Sequence, residues 1–125
     1  MWKMARCLIV DDSSVIRKVA KRILASAEMM VTEAASGQEA LDLSAHDMAD
    51  IIIIDSSLPD MDSSDLVRRL MALPAEFKPY ILLCLAELDL GAIMRAKRAG
   101  AQGYMLKPFT RAQLLEQFRE FQTAA

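Results

Sequence analysis

Three carboxylates and one ammonium group stand directly after short apolar segments of this 125-residue sequence. Asp11 and Asp12 follow the first such segment, Asp55 follows another, and Lys107 follows the last. Hard oxygen ligands of this kind suit Mg²⁺, and a carboxylate beside Mg²⁺ and a lysine can attack a phosphoryl group. Metal and ammonium would neutralise the charge on the transferred oxygens. The residue types therefore predict phosphoryl transfer to an aspartate, provided that the fold brings them together.

The apolar segments themselves are typical of buried strands. Short, continuously apolar runs are expected where a strand of a parallel sheet is covered on both faces. Strands are predicted at residues 7–10, 30–32, 51–54, 80–85 and 104–106, of which 30–32 has the weakest pattern.

Segments with helical periodicity separate these strands. They lie around residues 15–27, 38–45, 63–72, 89–99 and 114–121. Ser36 with Glu39, and Thr110 with Gln113, fit the capping box, in which a side chain and the backbone satisfy each other's unpaired groups at a helix start. Five strand–helix repeats indicate right-handed crossovers and a parallel sheet with helices on both sides.

The first helix is amphipathic. Its apolar positions recur at the spacing of one helix face and are Val15, Ile16, Val19, Ala20, Ile23, Leu24 and Ala27. Its opposite face carries Arg17, Lys18, Lys21 and Arg22. Ser13 or Ser14 is the best-placed cap.

Ligands of such open sheets bind at the carboxyl ends of the strands, where the three aspartates and Lys107 are expected. Taken singly, each has a plainer explanation: Asp11 and Asp12 could cap a helix, Asp55 could open a turn, and Lys107 could be a solvated charge. Two like charges 4 Å apart, however, repel by about 4 kcal/mol at an effective dielectric constant of 20. Because a fold would rarely keep three such carboxylates for stability alone, the group favours a binding site.

Composition limits the classes of protein to consider. Hydrophobic residues make up 54% of the chain and charged residues 26%, which is enough for one packed core. A net charge of −2 does not favour nucleic acid as the main partner. No apolar run approaches the ~20 residues of a membrane span, and residues 1–6 do not begin a secretory signal. Cys7 and Cys84 are predicted to be buried free thiols, so we expect a cytoplasmic protein.

Three stretches of sequence carry a family resemblance. They are LIVDDS at residues 8–13, IIDSSLPDMD at 53–62, and AGAQGY at 99–104 running into KPF at 107–109. The chain resembles the receiver domain of two-component response regulators, of the single-domain chemotaxis-regulator type, over residues 6–121. The resemblance implies a flavodoxin-like, doubly wound α/β fold with strand order 2-1-3-4-5 and five flanking helices. It implies a single receiver domain over residues 1–125, with no output domain.

The resemblance also implies a role for each site residue. Asp55 would be the phosphoacceptor and a ligand of Mg²⁺. Asp12 would bind the metal directly, Asp11 mostly through water, and Ser57 through its backbone carbonyl. Lys107 would contact the phosphoryl oxygens.

The end of the fourth strand departs from the family pattern. Receivers carry Ser or Thr there, whose hydroxyl binds the phosphoryl oxygen and whose inward motion makes room for an aromatic residue, here Tyr104. The position is Leu85, and a one-residue shift would place Cys84 or Ala86 there, neither of which has a hydroxyl. A hydrogen bond to a charged group contributes roughly 1.5–3 kcal/mol. We therefore expect a weakened active state and impaired coupling between Asp55 and Tyr104.

Other features carry less functional information. Ser63 stands where the family usually has Gly, which is expected to alter the loop before the third helix. His46 is predicted to lie on the surface, and Trp2 to pack loosely. The basic residues of the fourth helix favour an ordinary solvated face, with an acidic partner or a nucleotide as alternatives; they are Arg95, Lys97 and Arg98.

Two functions of different class fit the sequence. The first is an atypical receiver that accepts a phosphoryl group on Asp55 from a histidine kinase or histidine phosphotransfer protein. It would signal through the face formed by the fourth helix, fifth strand and fifth helix. The second is a pseudo-receiver, an interaction module whose phosphorylation-driven switching is impaired because of Leu85. A separate enzyme is not indicated: a dehalogenase-like phosphatase needs Asp-x-Asp where this chain has Asp12-Ser13-Ser14, and a dinucleotide site needs glycines there.

Overall fold

Five strands and five helices alternate over residues 5–124, the part of the chain that the computed structural model describes. Trp2 lies outside these residues. The elements are β1 (Arg6–Val10), α1 (Ser14–Ala25), β2 (Met30–Ala34), α2 (Gly37–His46), β3 (Ile51–Asp55), α3 (Ser63–Ala72), β4 (Tyr80–Leu85), α4 (Leu90–Ala99), β5 (Gly103–Leu106) and α5 (Arg111–Ala124). The predicted alternation is confirmed. No helix in this range is long and apolar enough to cross a membrane.

The strands form one parallel sheet in the order β2-β1-β3-β4-β5, which confirms the predicted doubly wound topology. Because β1 and β3 are neighbours, Val10 pairs with Ile54 at the last register position that the two strands share. Asp11 comes directly after Val10, and Asp55 comes directly after Ile54 as the last residue of β3. The register therefore places these two aspartates side by side at the carboxyl edge of the sheet.

The central strands separate two hydrophobic clusters. Ile52, Ile54 and Leu83 belong to one cluster, with residues of α2, α3 and α4, whereas Ile9 and Ile53 belong to the other, with residues of α1 and α5. Burying an aliphatic side chain of this size contributes about 1.5–3 kcal/mol. Helices cover both faces, and so every residue of β3 is buried, including the terminal aspartate.

The edge strand β5 is covered on one face only. Met105 packs into the cluster with α1 and α5, but Tyr104 and Leu106 are 40% and 41% exposed. The prediction that residues 104–106 are buried on both faces is wrong, because successive side chains of a strand alternate between faces and the α4 side of this strand is open.

Helix starts follow the predicted capping residues. Ser13 is the N-cap of α1, and Thr110 and Gln113 form the reciprocal pair of hydrogen bonds expected of a capping box. At α2, the Ser36 hydroxyl oxygen accepts a hydrogen bond from the Glu39 backbone N–H. The Glu39 carboxylate, however, accepts from the backbone N–H of Ala35 and not from that of Ser36.

Helix α1 follows the prediction based on periodicity only in part: Ala20 and Leu24 of its predicted apolar face are buried, but other positions differ. Val15 and Val19, on its predicted apolar face, are 67% and 46% exposed. Arg17, on the predicted polar face, is largely buried, with a side chain only 16% exposed. The apolar stripe is therefore wider than the surface that packs on the sheet, and one basic side chain turns inward.

Candidate functional site

The three aspartates meet at the carboxyl edge of the sheet. Carboxylate oxygens of Asp11, Asp12 and Asp55 all lie within 4.8 Å of one another. Asp11 and Asp55 are buried, and Asp12 is exposed to solvent. The sheet register thus produces the cluster that the sequence predicts.

Lys107 completes the cluster from the loop after β5. Its Nζ donates hydrogen bonds to Asp55 Oδ1 at 2.9 Å and to Asp11 Oδ2 at 3.1 Å. Burial of the ammonium favours its neutral form, but the hydrogen bonds and charges of the two aspartates outweigh burial, so the pKa of Lys107 lies above its usual value. Lys107 is therefore positively charged at neutral pH and lies between the two buried carboxylates.

Backbone contacts hold the loops that carry these side chains. The Ser13 N–H donates to Asp11 Oδ1 at 2.9 Å, and the Asp11 N–H donates to the Ala34 carbonyl of β2 at 3.1 Å. The loops after β3 and β5 are both tied to the end of β4, since the N–H groups of Ser56 and Lys107 donate to its last two carbonyls. Hydrogen bonds to the ends of β2 and β4 therefore hold the segments that carry the cluster.

The donor set fits Mg²⁺. The three acidic side chains offer carboxylate oxygens, and Lys107 pairs with two of them, Asp11 and Asp55, so the cluster keeps an excess of negative charge. The exposed Asp12 leaves a solvent-facing side for the waters that Mg²⁺ retains. Ser57 lies two residues beyond Asp55 in the same loop and is exposed. Asp11, Asp12 and Asp55 are therefore the residues that could hold the ion, and the contribution of the Ser57 carbonyl stays a prediction.

Leu85, the last residue of β4, lies beside this cluster. Its side chain is 1% exposed and packs in the hydrophobic cluster with α3 and α4. Tyr104, whose switching the resemblance links to this position, is 40% exposed on the α4 side of β5. An open cavity of about 700 Å³ lies next to Leu85, between the loops after β3 and β4, with Ser57, Glu87 and Arg95 in its walls.

Ser63 does not strain the loop before α3. It is the first residue of α3, after the N-cap Asp62, and Glu28 is the one non-glycine residue with positive φ in the described part of the chain. In this chain the position therefore needs no left-handed conformation, and whether the loop differs from that of other receivers stays a prediction.

The two cysteines are buried free thiols, as predicted. Cys84 pairs with Asp55 across β3 and β4. Burial raises the pKa of the Cys84 thiol to about 12, with opposing charge effects from Lys107 and Asp55. Burial also raises the pKa of the Cys7 thiol, so neither thiol is a nucleophile at neutral pH. His46 is exposed at the end of α2, also as predicted.

Two contacts that support the site have no signal in the sequence pattern. Arg17 donates to the Asp11 carbonyl, and Asp60 connects the loop after β3 to the start of α2. The Asp60 carboxylate accepts hydrogen bonds from the backbone N–H groups of Gly37 and Gln38, each at 2.9 Å. These two bonds hold the pKa of Asp60 below its ordinary value of 3.8.

The Asp60 contact predicts a pH-dependent stability. Because the pKa of Asp60 is lowered by folding, its contribution is present above pH 4 and is lost as the pH falls through the folded-state pKa. Asp60→Asn is expected to lower the urea midpoint at pH 7 and to differ less from the wild type at pH 3. Asp42→Asn, an exposed aspartate of α2, is the control, and an equal difference at both pH values would contradict the prediction.

A doubly wound sheet with an acidic cluster and a lysine at its carboxyl edge defines a class of signalling domain. Residues 7–119 match the family model of the response regulator receiver domain, and the chain belongs to this family. Similar proteins include chemotaxis proteins. The chain is 31% identical to chemotaxis protein CheY of Thermotoga maritima, covering 89% of this chain and 92% of that protein. It is 35% identical to chemotaxis protein CheY-3 of Vibrio cholerae, covering 91% and 88%.

Solved structures agree with this assignment. Chemotaxis response regulator CheY4 of Vibrio cholerae superposes with a TM-score of 0.87 at 32% identity, covering 95% of this chain and 99% of that one. A CheY-like receiver domain protein of Methanospirillum hungatei superposes with a TM-score of 0.88 at 28% identity, covering 94% and 93%. The chain is therefore a CheY-like receiver of two-component signalling, a class of signalling proteins and not of classical enzymes.

Proposed function

We propose that this chain accepts a phosphoryl group on Asp55 from a histidine kinase or histidine phosphotransfer protein, with Mg²⁺ held by Asp11, Asp12, Asp55 and the Ser57 carbonyl. The observation that carries the proposal is the position of the Asp55 carboxylate. It is buried, hydrogen bonded to Lys107 at 2.9 Å, and within 4.8 Å of the other two carboxylates. A structural aspartate would not need two further acidic neighbours.

The chain's own residues supply most of the chemistry. A carboxylate oxygen of Asp55 forms the bond to phosphorus while the phosphorus–nitrogen bond of the donor phosphohistidine breaks, and the imidazole leaves. The Lys107 ammonium already contacts the attacking carboxylate and can move its hydrogen bonds to the phosphoryl oxygens. Bound Mg²⁺ would supply further compensation of negative charge. Burial of Asp55 limits the access of water to the acyl phosphate product.

Leu85 supports an atypical output. Its side chain offers no hydrogen bond to a phosphoryl group and fills space in the core beside the cluster. Inward movement of Tyr104 would have to displace this buried leucine. We therefore propose that phosphorylation at Asp55 is retained, and that its transmission to Tyr104 and α4 is weak.

The face of α4, β5 and α5 is the proposed site for a downstream protein target in the cytoplasm. Leu90 and Met94 of α4 are 67% and 50% exposed, and Tyr104 and Leu106 of β5 are 40% and 41% exposed. Exposed apolar side chains grouped in this way favour a protein interface.

A pseudo-receiver that works only as an interaction module is the second candidate. Leu85 favours it, since the hydroxyl used by other receivers is missing. The two candidates differ in whether Asp55 takes up a phosphoryl group at all.

The deciding experiment is incubation with phosphoramidate and Mg²⁺, followed by intact-protein mass spectrometry. The wild type is expected to gain one hydroxylamine-sensitive phosphoryl group and Asp55→Asn none. Asp42→Asn, an exposed aspartate outside the site, should behave as the wild type. Absence of incorporation in the wild type would favour the interaction module.

Beryllofluoride titration tests the output separately. With Mg²⁺, we expect amide shifts at Asp55 and in the surrounding loops that stop before Tyr104 and α4. Shifts that spread through Tyr104 into α4 would contradict the atypical output and leave the phosphoacceptor role intact.

A further inference from the structure

The Arg17 side chain of α1 donates hydrogen bonds to two groups next to the acidic cluster. Its Nη1 donates to the Asp11 backbone carbonyl at 2.8 Å, and its Nε donates to Glu33 Oε1 of β2 at 3.1 Å. The side chains of Arg17 and Glu33 are 16% and 23% exposed. A guanidinium presents several donors in a fixed plane, so both acceptors are held in a defined relation to each other.

The contact fixes one particular peptide unit. The Asp11 carbonyl belongs to the peptide that joins Asp11 to Asp12, and this unit is planar, so holding its oxygen also orients the Asp12 nitrogen. The Asp11 N–H is already held by the Ala34 carbonyl. Both ends of Asp11 are thus anchored to β2, one directly and the other through Arg17 and Glu33.

We propose that Arg17 is a positioning residue for the metal site, acting by holding the Asp11–Asp12 peptide against β2 through Glu33. The proposal rests on the proposed function in that Asp11 and Asp12 are taken to bind Mg²⁺. Partners of ligating groups restrict the geometry in which the ligands meet the ion, and their loss typically weakens binding by about 10- to 100-fold.

Charge and geometry predict opposite effects, which makes the proposal testable. Arg17 is a cation close to a site for a dication, so its charge alone opposes metal binding. If charge were its only influence, replacing it by a neutral residue would tighten Mg²⁺ binding. If Arg17 positions the ligands, the same replacement weakens binding.

The test compares Arg17→Met and Arg17→Lys with the wild type by Mg²⁺ titration followed by amide NMR. Arg17→Met is expected to weaken Mg²⁺ binding about tenfold, at the lower end of the typical range. Arg17→Lys keeps the charge but replaces the planar fork by a point charge, and a loss of about threefold is expected. Lys21→Met is the matched control: Lys21 lies 3.7 Å from Glu33, is 52% exposed, and should stay within about twofold of the wild type.

A second readout uses the metal-free protein. The ¹⁵N shift of Asp12 should change in both Arg17 variants and not in Lys21→Met, because only Arg17 contacts that peptide. A purely structural role would lower the urea midpoint while leaving the Mg²⁺ affinity and the Asp12 shift unchanged. If Arg17→Met does not fold, Arg17→Lys still tests the proposal, because charge alone then predicts unchanged Mg²⁺ binding and positioning predicts weaker binding.

The outcomes separate this inference from the proposed function. Unchanged or tighter Mg²⁺ binding in both Arg17 variants overturns the positioning role alone. A wild type that binds no Mg²⁺ overturns the proposed function, and with it the effect of Arg17 on the metal.

Discussion

Replacing Lys107 by methionine is expected to lower the free energy of unfolding of the metal-free protein by about 3 kcal/mol, at the lower end of the cost of removing one partner from a buried ion pair. Lys107 donates to two buried carboxylates, those of Asp55 and Asp11. Methionine keeps much of the aliphatic packing, so the loss reports mainly the unpaired charges. Urea denaturation of the variant and the wild type in the presence of EDTA measures this difference in the free energy of unfolding.

Mg²⁺ should offset much of this loss. A ligand that binds only the folded state stabilises it by about 2.7 kcal/mol at one hundred times its Kd. The variant should bind Mg²⁺ more tightly than the wild type, because the competing ammonium is gone, and its gain in stability at a fixed Mg²⁺ concentration should be larger. Lys97 is an exposed cation of α4, and Lys97→Met should change neither the stability in EDTA nor the affinity for Mg²⁺. Equal stability of Lys107→Met and wild type in EDTA would show that the ammonium is not needed between the carboxylates.

The arrangement of the site was predictable because it depends on topology. Parallel strands end at one edge of a sheet, so the residues at the ends of β1, β3 and β5 lie along the same edge. Asp11, Asp55 and Lys107 therefore followed from their positions after apolar runs. The strand order, which makes β1 and β3 neighbours, came from the family resemblance and not from hydrophobic pattern.

Contacts between elements distant in sequence were not predictable in the same way. Arg17 has the spacing of a solvated helix face, yet it turns toward Asp11 because Glu33 of β2 offers it a second acceptor. Periodicity records which residues share a helix face but not which face meets the sheet. For the same reason, periodicity places Val15 on the buried face, whereas its side chain is open to solvent.

The exposed residues of β5 show a related limit. Tyr104 and Leu106 lie in an apolar run like those of the central strands, and their place at the edge of the sheet leaves them uncovered. Composition alone cannot distinguish an edge strand that presents apolar side chains from a strand buried on both faces. The distinction matters for function, because the exposed side of β5 is part of the proposed target face.

Replacing Leu85 by threonine is expected to destabilise the fold and to strengthen the coupling between Asp55 and Tyr104. Leu85 is 1% exposed, so the smaller, hydroxyl-bearing side chain should lower the free energy of unfolding by roughly 2–4 kcal/mol. The same hydroxyl can donate to a phosphoryl group on Asp55, and a hydrogen bond to a charged group contributes about 1.5–3 kcal/mol to the phosphorylated active state. Because threonine is smaller than leucine, the substitution also leaves space that the Tyr104 side chain can enter.

Leu85→Val is the matched control, because valine has nearly the shape of threonine and lacks the hydroxyl. With Mg²⁺ and beryllofluoride, amide shifts in Leu85→Thr should spread from Asp55 to Tyr104 and α4, whereas in Leu85→Val they should stay in the site loops. If both variants show the spread, the bulk of Leu85 is the barrier and the missing hydroxyl is not. If neither does, the output face is uncoupled from Asp55 by more than this one position, and the interaction-module alternative gains support.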